Sequence, residues 1–280
     1  MILDAHHHFW HPARGDYDWM RPDDPVLAHP FGPAQMAPVR TAGGVGQTVL
    51  VQAAPTLAET HYLLGIADAT PHVAGVVGWV DFDDPTQATA LQALARHPKL
   101  LGLRPMIQNL PADDWALGSQ VQWAFEMLCE LDLSFDVLGF PRHIPIFAQL
   151  CARYPTLRVV LDHGLKPQIR DGAFEPWADG MADLAAQSSA YVKLSGLVTE
   201  TDTGCGCGPD ALRPYVDHLL ACFGPNRVMW GSDWPVCTKR TSYADWLATA
   251  QTLTAHLPKD ARTAIFANTA RRFYKLKDTT

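Results

Sequence analysis

Two histidines one residue apart, His6 and His8, stand at the end of a short apolar segment that opens the chain. Alternate side chains of a β-strand point to the same side, so this spacing aims both imidazoles at one point. Imidazole nitrogens gathered there can bind a divalent ion or move protons. Further along, Arg104 closes the apolar run 100–104, and His163 follows the run 157–162 in Leu161-Asp-His-Gly-Leu-Lys-Pro167. Asp233 stands in Trp230-Gly-Ser-Asp-Trp-Pro235. A carboxylate, a third histidine and a guanidinium would supply a general base, an oxyanion donor and a fork for a substrate oxygen. Each has a structural alternative: a satisfied histidine at a strand end, an aspartate capping a turn, an arginine in an ion pair. Chemistry is the better account because all five fall at strand ends. His7 points away from His6 and His8 and reads as packing, and Asp4 and Asp162 read as groups that orient their neighbours.

Strand-like and helix-like segments alternate along the whole chain. Eight apolar runs read as buried parallel strands, at 2–6, 48–52, 73–80, 100–104, 133–137, 157–162, 190–194 and 227–230. Between them, Thr56-x-x-Glu59 and Ser119-x-x-Gln122 read as capping boxes, and Asp84-Pro85 as a capping acid before a first-turn proline. Helical patterns are expected at 144–153, 177–186, 211–222, 244–256 and 259–274, with Gly224-Pro225 as a stop. This alternation predicts one (β/α)8 barrel domain over residues 1–280, which brings strands one and eight, and so His6, His8 and Asp233, side by side. An open doubly wound sheet is the alternative, yet no G-x-G-x-x-G or Walker-type loop follows any strand. The long connection 11–46, rich in Pro, Trp and Asp, reads as a lid or cavity wall, with a short helix at 34–42; an insertion packed outside the barrel is the other reading.

Hydrophobic residues make up 48% of the 280 and charged residues 18%, enough apolar material for one large core. The net charge of −7 and the lack of a Lys/Arg cluster disfavour nucleic acid and anionic membranes as partners. No apolar run reaches the roughly 20 residues of a membrane span, and the first residues do not resemble a secretion signal, so a cytoplasmic protein with reduced cysteines is expected. Cys205 and Cys207 form a Cys-x-Cys in a glycine-rich loop, but no second pair with ligand spacing accompanies them. Ser195 and Ser232 lack the G-x-S-x-G context of an activated serine.

Five motifs carry a family resemblance: Leu3-Asp-Ala-His-His-His-Phe-Trp10, Leu161-Asp-His-x-x-Lys-Pro167, Lys193-Leu-Ser-Gly196, Trp230-Gly-Ser-Asp-Trp-Pro235 and Phe266-Ala-Asn-Thr-Ala-Arg-Arg-Phe-Tyr274. In order, and over nearly the whole chain, they resemble the amidohydrolase superfamily. The nearest branch holds sugar lactonases of the fuconolactonase and rhamnonolactonase kind and 2-pyrone-4,6-dicarboxylate lactonase. The resemblance implies a distorted TIM barrel with His6 and His8 from strand one, His163 from strand six and Asp233 from strand eight. Strand four ends in Arg104, so no lysine stands there to become a metal-bridging carbamate. Strand five ends without the usual ligand histidine, His143 coming several residues later. At most one divalent ion, zinc, is then expected on His6, His8 and Asp233, with a metal-free site as the alternative.

The implied reaction is hydrolysis of a small-molecule substrate, the lactone of a sugar acid. Asp233 would activate water, His163 would stabilise the oxyanion, Arg104 would hold a substrate oxygen, and Trp10 and Trp234 would stack on the ring. A dicarboxylate pyrone would want several cations, whereas only Arg104, Lys166 and Lys193 lie near strand ends. A zinc-dependent decarboxylase would need a strand-five ligand. A barrel that merely binds a sugar acid would need neither Asp233 nor His163 as a base. Monomer and homo-oligomer are both compatible with the sequence.

Overall fold

The computed structural model describes residues 1–202 and 208–277. Its eight strands are β1 (Ile2–His7), β2 (Val45–Val51), β3 (Val73–Gly78), β4 (Leu100–Leu103), β5 (Ser134–Val137), β6 (Arg158–Leu161), β7 (Tyr191–Leu194) and β8 (Val228–Trp230). They form one parallel sheet in sequence order, as the eight apolar runs predict. The sheet curls into a barrel, and α-helices pack between its strands and solvent. Helix α1 (Pro33–Ala42) precedes β2, α2 (Leu57–Ala69) precedes β3, and α3 (Ala88–Leu94) precedes β4. In the same way α4 (Gln122–Glu130), α5 (Ile144–Arg153), α6 (Glu175–Gln187) and α7 (Pro209–Phe223) lead into β5 to β8. Helix α8 (Tyr243–Leu253) follows β8, and α9 (Lys259–Thr263), a π-turn and α10 (Thr269–Tyr274) end the fold. No helix among the described residues is long and apolar enough to cross a membrane. Cys205 and Cys207 lie outside the described residues.

The helices cover the barrel with Leu, Ile, Val and aromatic side chains, the usual burial of one apolar stripe per helix. A second core fills the barrel itself: Leu3, Ala5, Val49, Val77, Val160 and Met229 meet Phe273 and Tyr274 from α10, which plugs the base. The segment expected as a single helix at 259–274 is interrupted by a π-turn, Ala264–Asn268. Ala264, Ile265, Phe266 and Ala267 are all buried there, a broader face than a regular helical turn presents.

Local signals were partly realised. Thr56 caps α2 by accepting from the Glu59 N–H at 3.1 Å. The reciprocal half of that capping box is absent, because the Thr56 N–H is already donated to Ala54 C=O. Glu59 instead accepts from the N–H groups of Ala53 and Ala54. The expected box at Ser119 does not form either. A 3-10 turn, Ser119–Val121, takes up that position, and Gln122 donates to Ala116 and Gly118 carbonyls. Asp84 caps the Pro85–Gln87 turn by accepting from Thr86 N–H, as its sequence predicts. Strand three stops at Gly78, short of residue 80, because the Thr60 hydroxyl takes up both backbone groups of Trp79.

The barrel closes through residues just beyond β8. Asp233 N–H donates to His6 C=O at 2.8 Å, and His8 N–H donates to Trp234 C=O at 2.7 Å. Asp4 reinforces this seam, accepting from Ser232 N–H at 2.8 Å and from the Tyr243 hydroxyl at 3.1 Å. Its burial pushes the Asp4 carboxyl up to about 6. Gly231 lets the strands approach, since a Cβ there would lie 2.7 Å from His6 Cβ. Gly231→Ala should therefore overpack the seam, costing about 1–3 kcal/mol. Urea unfolding checks this, and a variant as stable as the parent would show the seam to be compliant.

Candidate active site

The seam brings His6, His8 and Asp233 together at the barrel mouth. His6 Nε2 lies 3.2 Å from His8 Nε2, and Asp233 Oδ1 lies 3.3 Å from His8 Nε2 and 3.7 Å from His6 Nε2. His163 joins from beyond β6, with Nε2 3.9 Å from Asp233 Oδ1 and its ring 4.6 Å from that of His6. All four are buried or nearly so. Asp233 and His163 both have left-handed backbones, with φ of 55° and 57°. That region is uncommon for residues with a side chain and recurs at functional sites.

The Lys193-Leu-Ser-Gly196 segment explains how His163 is held. Ser195 Oγ lies 2.9 Å from His163 Nδ1. Gly196 leaves room for the ring, because a Cβ there would sit 2.4 Å from that nitrogen. Lys193, fully buried, reaches Asp136 at 2.6 Å, Asp162 at 2.9 Å and His6 Nδ1 at 3.1 Å. Asp136 also accepts from Ser134 at 2.9 Å and from Tyr274 at 2.5 Å, so α10 reaches the floor of the site. Burial pushes the Asp136 carboxyl up, yet three donors converge on it, and we read it as ionised. Burial also opposes ionisation of Asp162, but Lys193, His6 and Arg104 outweigh it and hold this carboxyl well below its ordinary value.

Arg104 ends β4 at the cavity, as expected, but much of its guanidinium is committed. It donates to the Gln52 backbone carbonyl and, at 3.1 Å, to the Gln52 side chain, and lies 3.4 Å from Asp162. Burial resists charge on Asp233, but the neighbouring His163, His8 and His6 prevail and hold its carboxyl well below the ordinary value, so it is ionised at neutral pH. Burial lowers His163 to about 4 and His6 well below the ordinary histidine value.

Four ligand-bearing groups in one place invite a test for metal. Zinc–ligand bonds of about 2.0–2.2 Å in a tetrahedron put ligand atoms roughly 3.3–3.6 Å apart. The His6, His8 and Asp233 separations of 3.2, 3.3 and 3.7 Å match that spacing. His8 Nδ1 bonds Val51 C=O at 2.8 Å, which leaves Nε2 with its lone pair toward the shared point. A second trio, His6, Asp162 and His163, is also close. There, however, Asp162 Oδ1 is already held by Lys193, whose ammonium would face the ion. The first trio is the better fit, and Arg104 Nη1, 3.5 Å from His6 Nε2, fills space that a second ion would need.

Above these groups lies a cavity of about 190 Å³, lined by His8, Trp10, Arg104, His163, Lys166 and Asp233 among others. The connection 11–46 forms one wall, with Trp19 donating to Ala53 C=O at 2.6 Å and Trp10 to Leu27 C=O at 3.1 Å. Trp10 thus reaches the cavity. Trp234 does not: its indole lies behind the wall, edge-on to Phe31 and Phe9, so stacking on a ligand is not open to it. His7 packs against Phe9 on the opposite side of β1. His143 is a turn residue paired with Asp113 at 3.1 Å. Sequence reasoning did not assign Lys193, Asp136, Ser195 or Gln52. The available signal was polar residues alternating within short core strands, as in Lys193 and Ser195.

Fold and site together define a barrel hydrolase. A family model described as amidohydrolase matches residues 3–276, and the chain belongs to that family. It is 41% identical over 280 residues to an L-fucono-1,5-lactonase of Burkholderia ambifaria, covering 98% of this chain and 95% of that protein. It is 35% identical to an L-fucono-1,5-lactonase of Burkholderia multivorans, covering 99% and 96%. A crystal structure of a Burkholderia multivorans amidohydrolase with bound zinc superposes with a TM-score of 0.93 at 33% identity, covering 99% of this chain and all of that one.

Removing Lys193 would leave Asp136 and Asp162 buried without their shared cation. Lys193→Met should cost about 3–5 kcal/mol, the usual penalty for breaking a buried pair from one side. Chemical denaturation measures it, and an unchanged midpoint would mean that the carboxyls are satisfied without the lysine.

Proposed function

We propose that this chain hydrolyses the 1,5-lactone of a sugar acid, with L-fuconolactone as the first candidate. The carrying observation is the Asp233 carboxyl 3.9 Å from His163 Nε2 at the floor of a cavity of about 190 Å³, room for one sugar ring. The two Burkholderia lactonases, similar over nearly their whole length, support the same reading. Asp233 removes a proton from water, and the resulting hydroxide adds to the lactone carbonyl. His163 donates from Nε2 to the oxygen that gains charge, while the Ser195 hydroxyl donates to Nδ1 and sets that tautomer. Collapse breaks the bond from the carbonyl carbon to the ring oxygen, and Asp233 returns its proton to that oxygen. Arg104 and Trp10 hold the substrate against the cavity wall. His6, His8 and Asp233 would hold one zinc ion, which supplies polarisation of the lactone carbonyl.

A neutral substrate fits better than a dicarboxylate. Both terminal nitrogens of Arg104 are engaged by Gln52 and Asp162, and Lys166 lies 3.9 Å from Glu200, so a donor remains for a neutral substrate oxygen but the two cations lining the cavity are already offset by carboxylates. The proposal places the enzyme in the cytoplasm as a single domain, in keeping with free thiols at Cys129, Cys151, Cys222 and Cys237.

Asp233→Asn should lower kcat on L-fuconolactone by at least about 10²–10⁴-fold with the fold intact by circular dichroism. Elemental analysis should find no more than one divalent ion per chain. A folded variant with near-normal turnover would remove Asp233 from the chemistry. The pH profile supplies a separate check. Because His163 stays neutral down to about 4, kcat should show no inflection near 6.5 and should fall only as pH drops through about 4. Its depressed value also costs stability as pH falls from 6.5 toward 4, where the unfolded chain binds the proton and the folded one does not. A kcat that halves near 6.5 would mean that His163 is not desolvated as described.

A further inference from the structure

A second cavity abuts the first. It measures about 210 Å³ against about 190 Å³ for the cavity over Asp233, so it has room for a second ring of similar size. Trp19, Met106 and Asn109 line both cavities and form the wall between them. Asn109 is exposed, which leaves the upper edge of that wall in solvent. Buried Phe82 and Trp115 contribute to the second cavity's lining, with half-buried Trp79 beside them. Asp83 fixes the Trp115 ring by accepting from its indole N–H at 2.9 Å. Asp18 and Asp81 add carboxylates, and no lysine, arginine or histidine lines this space. None of these residues takes part in the chemistry proposed above, and only Trp19, Met106 and Asn109 also line the first cavity.

We propose that the second cavity is a subsite for a glycosyl substituent on the lactone, so that the enzyme accepts lactones of disaccharide aldonic acids. The proposal rests on the lactonase reading and extends it. A sugar ring offers an apolar C–H face to the aromatic side chains and hydroxyl donors to the carboxylates. A purely apolar guest would strip water from Asp18, Asp81 and Asp83 without replacing its hydrogen bonds. An anionic guest would meet only like charge. A neutral polyol satisfies both sets of groups, and the exposed Asn109 edge of the shared wall is where a glycosidic link would cross to the ring whose carbonyl reacts.

The test compares kcat/KM for L-fucono-1,5-lactone with its 2-O-, 3-O- and 4-O-galactosyl derivatives. At least one derivative should exceed the parent by about 10-fold. Trp79→Ala should remove that advantage and leave the parent lactone unchanged, which also serves as the folding control. Asp18→Asn, at an exposed position, should reduce the advantage about threefold, and it carries the test if Trp79→Ala does not fold. Turnover of the parent with no gain from any of the three derivatives overturns the subsite while the lactonase reading stands. With the circular dichroism spectrum unchanged, an equal effect of Trp79→Ala on parent and derivative likewise overturns it. Failure to hydrolyse L-fuconolactone or any other aldonolactone removes both.

Discussion

Two hydrogen bonds, from Asp233 N–H to His6 C=O and from His8 N–H to Trp234 C=O, join the first strand of the barrel to the segment that follows the last. Strand β8 is only three residues long, so the seam cannot rest on strand pairing alone. The residues that complete it are the same residues that present the carboxylate and the imidazoles. Closing the barrel and assembling the site are therefore one event. Many barrel enzymes carry catalytic groups on loops that move independently of the strands. Here displacing Asp233 would open the barrel, and the site inherits the rigidity of the fold.

Beneath the seam lies a set of charges that ordinary stability arguments would remove. Lys193, Asp136 and Asp162 are fully buried and Arg104 almost so. Well-packed hydrophobic residues in place of such groups are often neutral or stabilising. What the charges provide here is direction. Lys193 and Asp162 both address His6 Nδ1, at 3.1 and 3.5 Å, and so determine where the imidazole carries its proton and how its ring is aimed. When Lys193 donates to Nδ1, the His6 proton sits on Nε2 and points at His8. When Nδ1–H donates to Asp162, Nε2 is a lone pair suited to an ion. The same network can thus serve a metal-free and a metal-bound site by moving one proton.

Residue order alone exposed much of this architecture. The eight strands were legible because parallel barrel strands are buried on both faces and read as apolar runs. His6 and His8 were legible from their spacing of two, and Asp233 because a closed barrel makes its first and last strands neighbours. Trp234 misled for a related reason: adjacency to Asp233 in sequence did not survive the turn, which directs its indole toward Phe31. The ion network was hidden because Lys193, Asp136 and Tyr274 come from three distant segments, and only the barrel interior unites them. Arg104 was located correctly, but its commitment to Gln52 required a register between β2 and β4 that no local pattern encodes. The box at Thr56 formed only its N-cap half and the box at Ser119 did not form, because a nearby turn had already taken the donor or the position.

The backbone at the two principal residues shows how specificity and strain were reconciled. Left-handed conformations favour glycine, which carries no side chain and so cannot act as base or donor. Asp233 and His163 occupy that region nonetheless, at a cost of about 1–3 kcal/mol each. Hydrogen bonds hold each of them there, Asp233 through both its backbone groups and His163 through its carbonyl. Asp233 donates its N–H across the seam and accepts from Cys237 N–H at 2.9 Å, while the His163 carbonyl accepts from Lys166 N–H at 2.9 Å. Glycines take the neighbouring positions that can do without a side chain: Gly164, also left-handed, follows His163, and Gly196 makes room for its ring. Leu165 and Lys166 continue the left-handed run beyond Gly164, so behind His163 the strain is spread along one turn, whereas at Asp233 it falls on a single residue pinned by the seam.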